Sequence, residues 1–83
     1  MRILIVDDEP LALSALKKAL SGRHDIDEIA PAKDAVEALE KLRQAQYDIM
    51  LLDINMPELS GLEMVDYLQK RNQPLPSIVF VTA

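Results

Sequence analysis

The sequence predicts an α/β fold in which helices wind on both faces of a parallel sheet. Three observations support this fold class. Short apolar runs alternate with segments of helical periodicity in the order β-α-β-α-β-α-β. The 83 residues are enough for one domain but not for two. Acidic side chains follow two of the apolar runs. The carboxyl ends of parallel strands lie along one edge of a sheet, and ligands bind at that edge.

The composition is typical of a globular domain, with 49% hydrophobic and 28% charged residues. The formal net charge is -5 and the basic residues are scattered, so we expect no direct nucleic-acid binding by this chain. The apolar run after Arg2 is shorter than a signal peptide needs, and no run is long enough to span a membrane, so we expect a cytoplasmic location without membrane contact. Cysteine is absent, which excludes disulfides and thiolate metal sites.

The first strand and the first helix carry clear signals. Arg2–Val6 is a short apolar run rich in β-branched residues, typical of a strand buried on both faces. Pro10 suits the first turn of a helix, and apolar residues then recur at helical spacing as far as Leu20. Gly22 follows and predicts the end of this helix.

The second strand and helix carry weaker signals. Residues 26–30 alternate between polar and apolar side chains, which predicts an edge strand that Pro31 ends. Asp34 is placed to cap the following helix, with Glu37 three residues later in the pattern of a capping box. The inner apolar stripe of this helix runs to about Ala45.

The second half of the chain predicts two strands and one helix. Residues 47–52 form an apolar run, predicted as a central strand that stops at Asp53. Residues 55–61 have the composition of a loop, and apolar spacing predicts a third helix over 62–71. Ser77–Val81 has the pattern of a fourth buried strand. Alternation of strands and helices implies parallel strands, and we expect the strand order 2-1-3-4.

Polar side chains stand at the carboxyl ends of the predicted strands. Asp7 and Asp8 follow the first strand and Asp53 ends the third. Thr82 ends the fourth, so the order 2-1-3-4 predicts three carboxylates and a hydroxyl around one crevice. Such carboxylates repel one another unless a cation lies among them, and an all-oxygen site favours magnesium. Each aspartate taken alone is also compatible with a helix cap or a turn.

Three segments carry a family resemblance that covers the whole chain. "ILIVDDEP", "YDIMLLDINMPELSGLEM" and "PSIVFVTA" resemble the receiver domain of two-component response regulators. "LSGLEM" and "IVFVTA" are similar to receivers attached to LytTR-type DNA-binding domains. The resemblance implies a flavodoxin-like (CheY-like) doubly wound fold, here with the elements β1-α1-β2-α2-β3-α3-β4.

The resemblance also implies a role for each site residue. Asp53 would accept the phosphoryl group in a magnesium-dependent reaction. Asp8 would bind magnesium directly, Asp7 mainly through water, and Asn55 through its backbone carbonyl. The Thr82 hydroxyl and the Ala83 backbone N–H would contact the phosphoryl group. Such a domain catalyses only its own phosphorylation and dephosphorylation, so we expect no turnover enzyme.

The sequence departs from the family pattern at its carboxyl end. A receiver domain continues with a fourth helix, a fifth strand and a fifth helix, so residues 1–83 are expected to form an incomplete domain. The lysine that pairs with the phosphoryl group belongs to the part beyond, so phosphorylation should be slow or absent. Ser77–Val81 would then form an apolar edge, and we expect self-association through it, as a dimer or a domain swap.

Three functions compete at this point. The leading one is a signalling switch, phosphorylated by a sensor histidine kinase or a small phosphodonor and controlling an output domain, transcriptional in type, outside this chain. The second is an interaction module that dimerises and performs no phosphotransfer. The third is a magnesium phosphohydrolase with an aspartyl nucleophile, which is disfavoured because such enzymes use an acid two residues after the nucleophile, where this chain has Asn55.

Overall fold

The computed structural model describes residues 1–53, 66, 69–70 and 76–81. The strands and helices within these residues are β1 (Arg2–Val6), α1 (Pro10–Leu20), β2 (Glu28–Ala32), α2 (Ala35–Gln44), β3 (Ile49–Asp53) and β4 (Ser77–Val81). The predicted loop 55–61 and most of the predicted third helix lie outside the described residues. Within that predicted helix, Asp66, Gln69 and Lys70 are helical.

The four strands form one parallel sheet in the order β2-β1-β3-β4. The predicted order 2-1-3-4 is therefore confirmed, with β1 and β3 in the centre. Val6 at the end of β1 lies opposite Leu52 of β3, so the carboxyl ends of the two central strands are adjacent. The residues that follow these two strands meet at one edge of the sheet.

One face of the sheet carries the main hydrophobic core. Leu4, Val6, Met50 and Leu52 point to this face and are almost completely buried. α2 packs on it through the buried Ala35 and Ala38, together with Leu39 and Leu42; Ala30, Ala32 and Tyr47 complete the cluster. Alanines at these positions allow the helix to approach the sheet closely.

The opposite face is covered by α1, so the sheet is wound on both sides. Ile3 and Ile5 are buried on this face, and α1 contacts β1 and β2. No residue of α1 itself is buried, and its inner leucines, Leu13, Leu16 and Leu20, are half-buried. Within the described residues, α1 is therefore less deeply buried than α2, in which Ala35 and Ala38 are buried.

Both helices are capped by acidic side chains. Asp34 accepts a hydrogen bond from the Glu37 N–H at 2.7 Å, which confirms it as the N-cap of α2. Glu9 caps α1, and Pro10 occupies the first helical position as predicted. Gly22 follows the end of α1 with φ of 87°, a left-handed conformation in which glycine carries no steric penalty.

The prediction for the second strand was right in type and wrong in extent. β2 spans Glu28–Ala32, so Pro31 lies inside the strand and does not end it. The Asp7 N–H donates to the Ala32 carbonyl at 3.0 Å, so Ala32 directs its backbone groups toward β1. Successive residues of a strand direct these groups to opposite sides, so the position of the missing Pro31 N–H faces away from β1. A proline there removes no hydrogen bond of the sheet, as is usual for an edge strand.

Two further boundaries differ from the prediction. β3 begins at Ile49 and includes Asp53, because Asp53 still pairs with Val81 of β4. β4 has the predicted bounds, but it is not a buried strand: Val79 is 48% exposed and Phe80 is 43% exposed. The reason is that β4 lies at the edge of the sheet in the part of the chain that the structure describes.

Candidate metal centre

The carboxyl end of β1 holds Asp7 in a defined position. Its N–H donates to the Ala32 carbonyl of β2, which extends the β1–β2 ladder one residue beyond β1. Its side-chain Oδ1 accepts the N–H of Glu9 at 2.9 Å, in the manner of an Asx turn. The residue is only 7% exposed, so its backbone and its carboxylate are both fixed by neighbouring groups.

Asp53 and Asp8 complete a cluster of three carboxylates. Asp53 is the last residue of β3 and is also 7% exposed. Asp8 is exposed beside it. Asp7, Asp8 and Asp53 each offer one oxygen, and these oxygens lie within 4.8 Å of one another. The structure thus brings together the three aspartates that strand order alone predicted to meet.

The electrostatics of the cluster disfavour three negative charges. Burial raises the pKa of the Asp7 carboxyl above its ordinary value. The hydrogen bond from the Glu9 N–H opposes this rise in pKa, while the charges of Asp53 and Asp8 add to it. A cation among these oxygens would relieve the repulsion and favour the ionised form of Asp7.

The donor set fits a hard divalent cation. All three ligating groups are carboxylates, and no histidine or cysteine joins them among the residues that the structure describes. Oxygen donors of this kind suit magnesium, which binds one or two carboxylates and retains several waters. Asp8, the exposed member of the cluster, is open to solvent, whereas Asp7 and Asp53 are buried.

Two contacts of this centre escaped sequence reasoning. The Ala32 carbonyl anchors Asp7 from β2, a strand whose end was predicted two residues too early. The N–H of Glu9 binds the Asp7 carboxylate, a contact that the local pattern of an aspartate followed by a turn could have indicated. Glu9 itself is exposed at the rim, where its Oε1 accepts the Leu11 N–H at 3.4 Å at the start of α1.

Three of the predicted site residues lie outside the described part of the chain. These are Asn55, Thr82 and Ala83. The described part of the site is therefore the three carboxylates, without the predicted backbone ligand from Asn55 and without the residues predicted to contact the phosphoryl group. None of the described helices is long and apolar enough to cross a bilayer.

Comparison with known proteins identifies the family. The family model for the response regulator receiver domain matches residues 3–83. The chain belongs to this family. The resemblance of its motifs to receiver domains is thus confirmed.

Curated relatives of this receiver domain include transcriptional regulatory proteins. The transcriptional regulatory protein BtsR of Salmonella typhimurium is 45% identical over 83 residues, which are 100% of this chain and 34% of the relative. The transcriptional regulatory protein LytR of Staphylococcus aureus is 42% identical over 100% of this chain and 33% of its own length. This similarity agrees with the predicted likeness to receivers of LytTR-type regulators. The chain spans about a third of the length of these relatives.

Solved structures confirm the CheY-like fold. The response regulator TrrA of Thermotoga maritima, solved in complex with Mg(2+)-BeF, is 40% identical. It superimposes with a TM-score of 0.83 over 99% of this chain and 69% of that one. The two chains therefore share the receiver fold.

Proposed function

We propose that this receiver domain is a magnesium-dependent phosphoacceptor in which Asp53 takes the phosphoryl group. The observation that carries the proposal is the convergence of the Asp53 carboxylate with those of Asp7 and Asp8 at the end of a central strand. TrrA, which carries the same fold, is a response regulator solved with Mg(2+)-BeF, and this supports the same ligand chemistry here.

Asp8 and Asp7 would hold the cation in different ways. Asp8 is exposed and would bind it directly. Asp7 is buried and one of its oxygens already accepts the Glu9 N–H, which favours contact through water. By resemblance to the family, the backbone carbonyl of Asn55 would be a further ligand. Magnesium bound here supplies positive charge that screens the repulsion between the carboxylates and an anionic phosphodonor.

The chemical step is a transfer of one phosphoryl group. A carboxylate oxygen of Asp53 forms a bond to phosphorus while the bond between phosphorus and its leaving group breaks. The leaving group is the imidazole of a phosphohistidine or the acetate of acetyl phosphate, and the product is an acyl phosphate. By resemblance, the Thr82 hydroxyl and the Ala83 N–H would donate hydrogen bonds to the transferred group. The domain modifies only itself, so it is not a turnover enzyme.

The partners follow from the same proposal. A sensor histidine kinase in the cytoplasm would supply the phosphoryl group. The response would be transcriptional, since BtsR and LytR are transcriptional regulatory proteins with two thirds of their length outside the matched region. No direct nucleic-acid contact by these 83 residues is proposed, because their net charge is -5.

Intact mass after incubation with acetyl phosphate and magnesium tests the proposal. We expect the wild-type chain to gain one phosphoryl group slowly, because the lysine that pairs with this group in the family is not among these 83 residues, and we expect no gain in EDTA or in Asp53→Asn. Asp25→Asn is the matched control, because Asp25 is an exposed aspartate with a side-chain accessibility of 59%, and it should be phosphorylated like the wild type. Circular dichroism establishes that each variant is folded. A phosphoryl group gained by Asp53→Asn or in EDTA would contradict the proposal, and a folded wild-type chain that gains nothing would favour the interaction module described below.

A second candidate function is that of an interaction module without phosphotransfer. The specific observation in its favour is the exposure of two large apolar side chains on β4, Val79 and Phe80. The phosphorylation experiment separates the two functions, because an interaction module would associate with a partner whether or not Asp53 is modified.

A further inference from the structure

Glu9 makes two contacts at the edge of the sheet where the three carboxylates meet. Its N–H donates to Oδ1 of Asp7 at 2.9 Å. Its side-chain Oε1 accepts the Leu11 N–H at 3.4 Å, so the carboxylate lies over the first turn of α1. Glu9 therefore holds Asp7 through its backbone and brings a fourth negative charge to this edge through its side chain.

The Glu9 carboxylate lies outside the cluster but close to it. The group of carboxylates whose oxygens lie within 4.8 Å of one another consists of Asp7, Asp8 and Asp53 and does not include Glu9. Covalent bonds keep the Glu9 carboxylate within about 6 Å of its own N–H, and so within about 9 Å of Asp7 Oδ1. This separation is shorter than the Debye length of ~10 Å at an ionic strength of 0.1 M.

The charge of Glu9 acts on the cluster across this separation. Burial is the main cause that raises the pKa of the Asp7 carboxyl, and the charges of Asp53, Asp8 and Glu9 add to the rise. A field that disfavours a further negative charge favours a positive one at the same place. Glu9 is exposed, so water and salt screen its charge more than they screen the charges of the buried aspartates.

We propose that the Glu9 carboxylate strengthens magnesium binding from outside the coordination shell, through its charge and not as a ligand. This inference rests on the proposed magnesium site and adds a residue that determines its affinity. A divalent cation about 8 Å from a carboxylate, at a dielectric constant near that of water, gains roughly three- to tenfold in affinity at low ionic strength. The hydrogen bond from the Glu9 N–H to Asp7 does not depend on the side chain.

Two substitutions distinguish this role from that of a helix cap. Glu9→Gln keeps a side-chain oxygen for the Leu11 N–H and removes only the charge. Glu9→Asp keeps the charge on a shorter side chain. If Glu9 served only to cap α1, both variants would bind magnesium as the wild type does. If its charge determines the affinity, Glu9→Gln binds more weakly and Glu9→Asp retains most of the wild-type affinity.

Titration of the isotopically labelled chain with magnesium chloride, followed by nuclear magnetic resonance at neutral pH, measures the dissociation constant without phosphotransfer. We expect Glu9→Gln to raise this constant three- to tenfold at low ionic strength. The matched control is Asp25→Asn, which changes the net charge equally at an exposed carboxylate between α1 and β2, at the opposite end of the sheet. It should leave the constant unchanged, and the same spectra show whether each variant is folded.

Salt tests whether Glu9 acts through its charge alone. At 1 M sodium chloride the Debye length is ~3 Å, so the dissociation constants of Glu9→Gln and the wild type should become nearly equal. A difference that persists at high salt would make Glu9 a ligand and would overturn the proposal. Equal constants at low salt, or an equal effect of Asp25→Asn, would also overturn it. A wild-type chain that binds no magnesium would refute the metal site itself, and this inference with it.

Discussion

Replacing Asp7 with asparagine should stabilise the metal-free domain. The substitution removes one of three carboxylates whose oxygens lie within 4.8 Å of one another. Asparagine keeps a side-chain oxygen in the position of Oδ1, so the hydrogen bond from the Glu9 N–H can be retained. The size of the side chain is also unchanged, so the buried site at the end of β1 should not need to repack.

The magnitude follows from the separation of the charges. Two unit charges 4.8 Å apart repel by roughly 1 kcal/mol at the dielectric constant of water and by roughly 3.5 kcal/mol at an effective value of about 20. Asp7 and Asp8 are neighbours in the unfolded chain as well, so much of their repulsion cancels between the two states. The pair of Asp7 with the equally buried Asp53 forms only on folding. We therefore expect a gain of about 1–3 kcal/mol in the free energy of unfolding.

Urea denaturation at neutral pH and low ionic strength, in EDTA, measures this gain. The matched control is Asp25→Asn, whose exposed carboxylate pairs with Arg23 at 3.6 Å and should contribute at most about 1 kcal/mol. Magnesium should stabilise the wild type by mass action and Asp7→Asn by less, so the advantage of the variant should shrink as magnesium is added. A variant that is no more stable than the wild type in EDTA would refute the account of the carboxylate cluster.

Three further predictions concern pH, a helix cap and the core. The pKa of Asp7 is raised in the folded state, so the protonated form of Asp7 favours folding. Its contribution to the free energy of unfolding is complete below the ordinary pKa of 3.8 and is lost as the pH rises through the folded-state pKa. The difference in urea midpoint between Asp7→Asn and the wild type should therefore grow as the pH rises through that range, and a constant difference would contradict it. Asp34→Ala should cost about 1 kcal/mol because the Glu37 N–H loses its acceptor, whereas Asp34→Asn should cost little; thermal denaturation of the pair decides this. Met50→Ala should cost about 2–5 kcal/mol in urea denaturation because Met50 is fully buried, and a smaller loss would mean that the core is not packed as described.

The first strand, the first helix and the start of the second helix could be predicted from local signals alone. β1 and α1 have the predicted bounds because an unbroken apolar run, Pro10 and Gly22 each mark a boundary by their own chemistry. The cap at Asp34 was predicted for the same reason, since a carboxylate that binds the N–H three residues later needs no distant contact.

The errors arose where tertiary contacts decide the boundary. Pro31 ends a strand by local rules, but its missing N–H faces away from β1, so β2 continues through it to Ala32. The direction of that N–H depends on the register between β1 and β2, which local sequence does not contain. β3 likewise extends to Asp53 because Val81 of β4 pairs with it.

The carboxylate cluster was predictable because it depends on topology more than on detailed packing. Once β1 and β3 were placed side by side, Asp7, Asp8 and Asp53 had to meet at one edge. The two hydrogen bonds that fix Asp7, with the Ala32 carbonyl and the Glu9 N–H, were not predicted. The first depends on the end of β2, where the sequence signal was misleading.

The most direct test of the central claim is the location of the transferred phosphoryl group. After incubation with acetyl phosphate and magnesium, borohydride reduces an aspartyl phosphate to homoserine, and trypsin releases a peptide spanning residues 44–70 that contains Asp48, Asp53 and Asp66. The account predicts homoserine at position 53 alone, and none when magnesium is replaced by EDTA. Homoserine at position 48 or 66, or its formation at position 53 without magnesium, would contradict it.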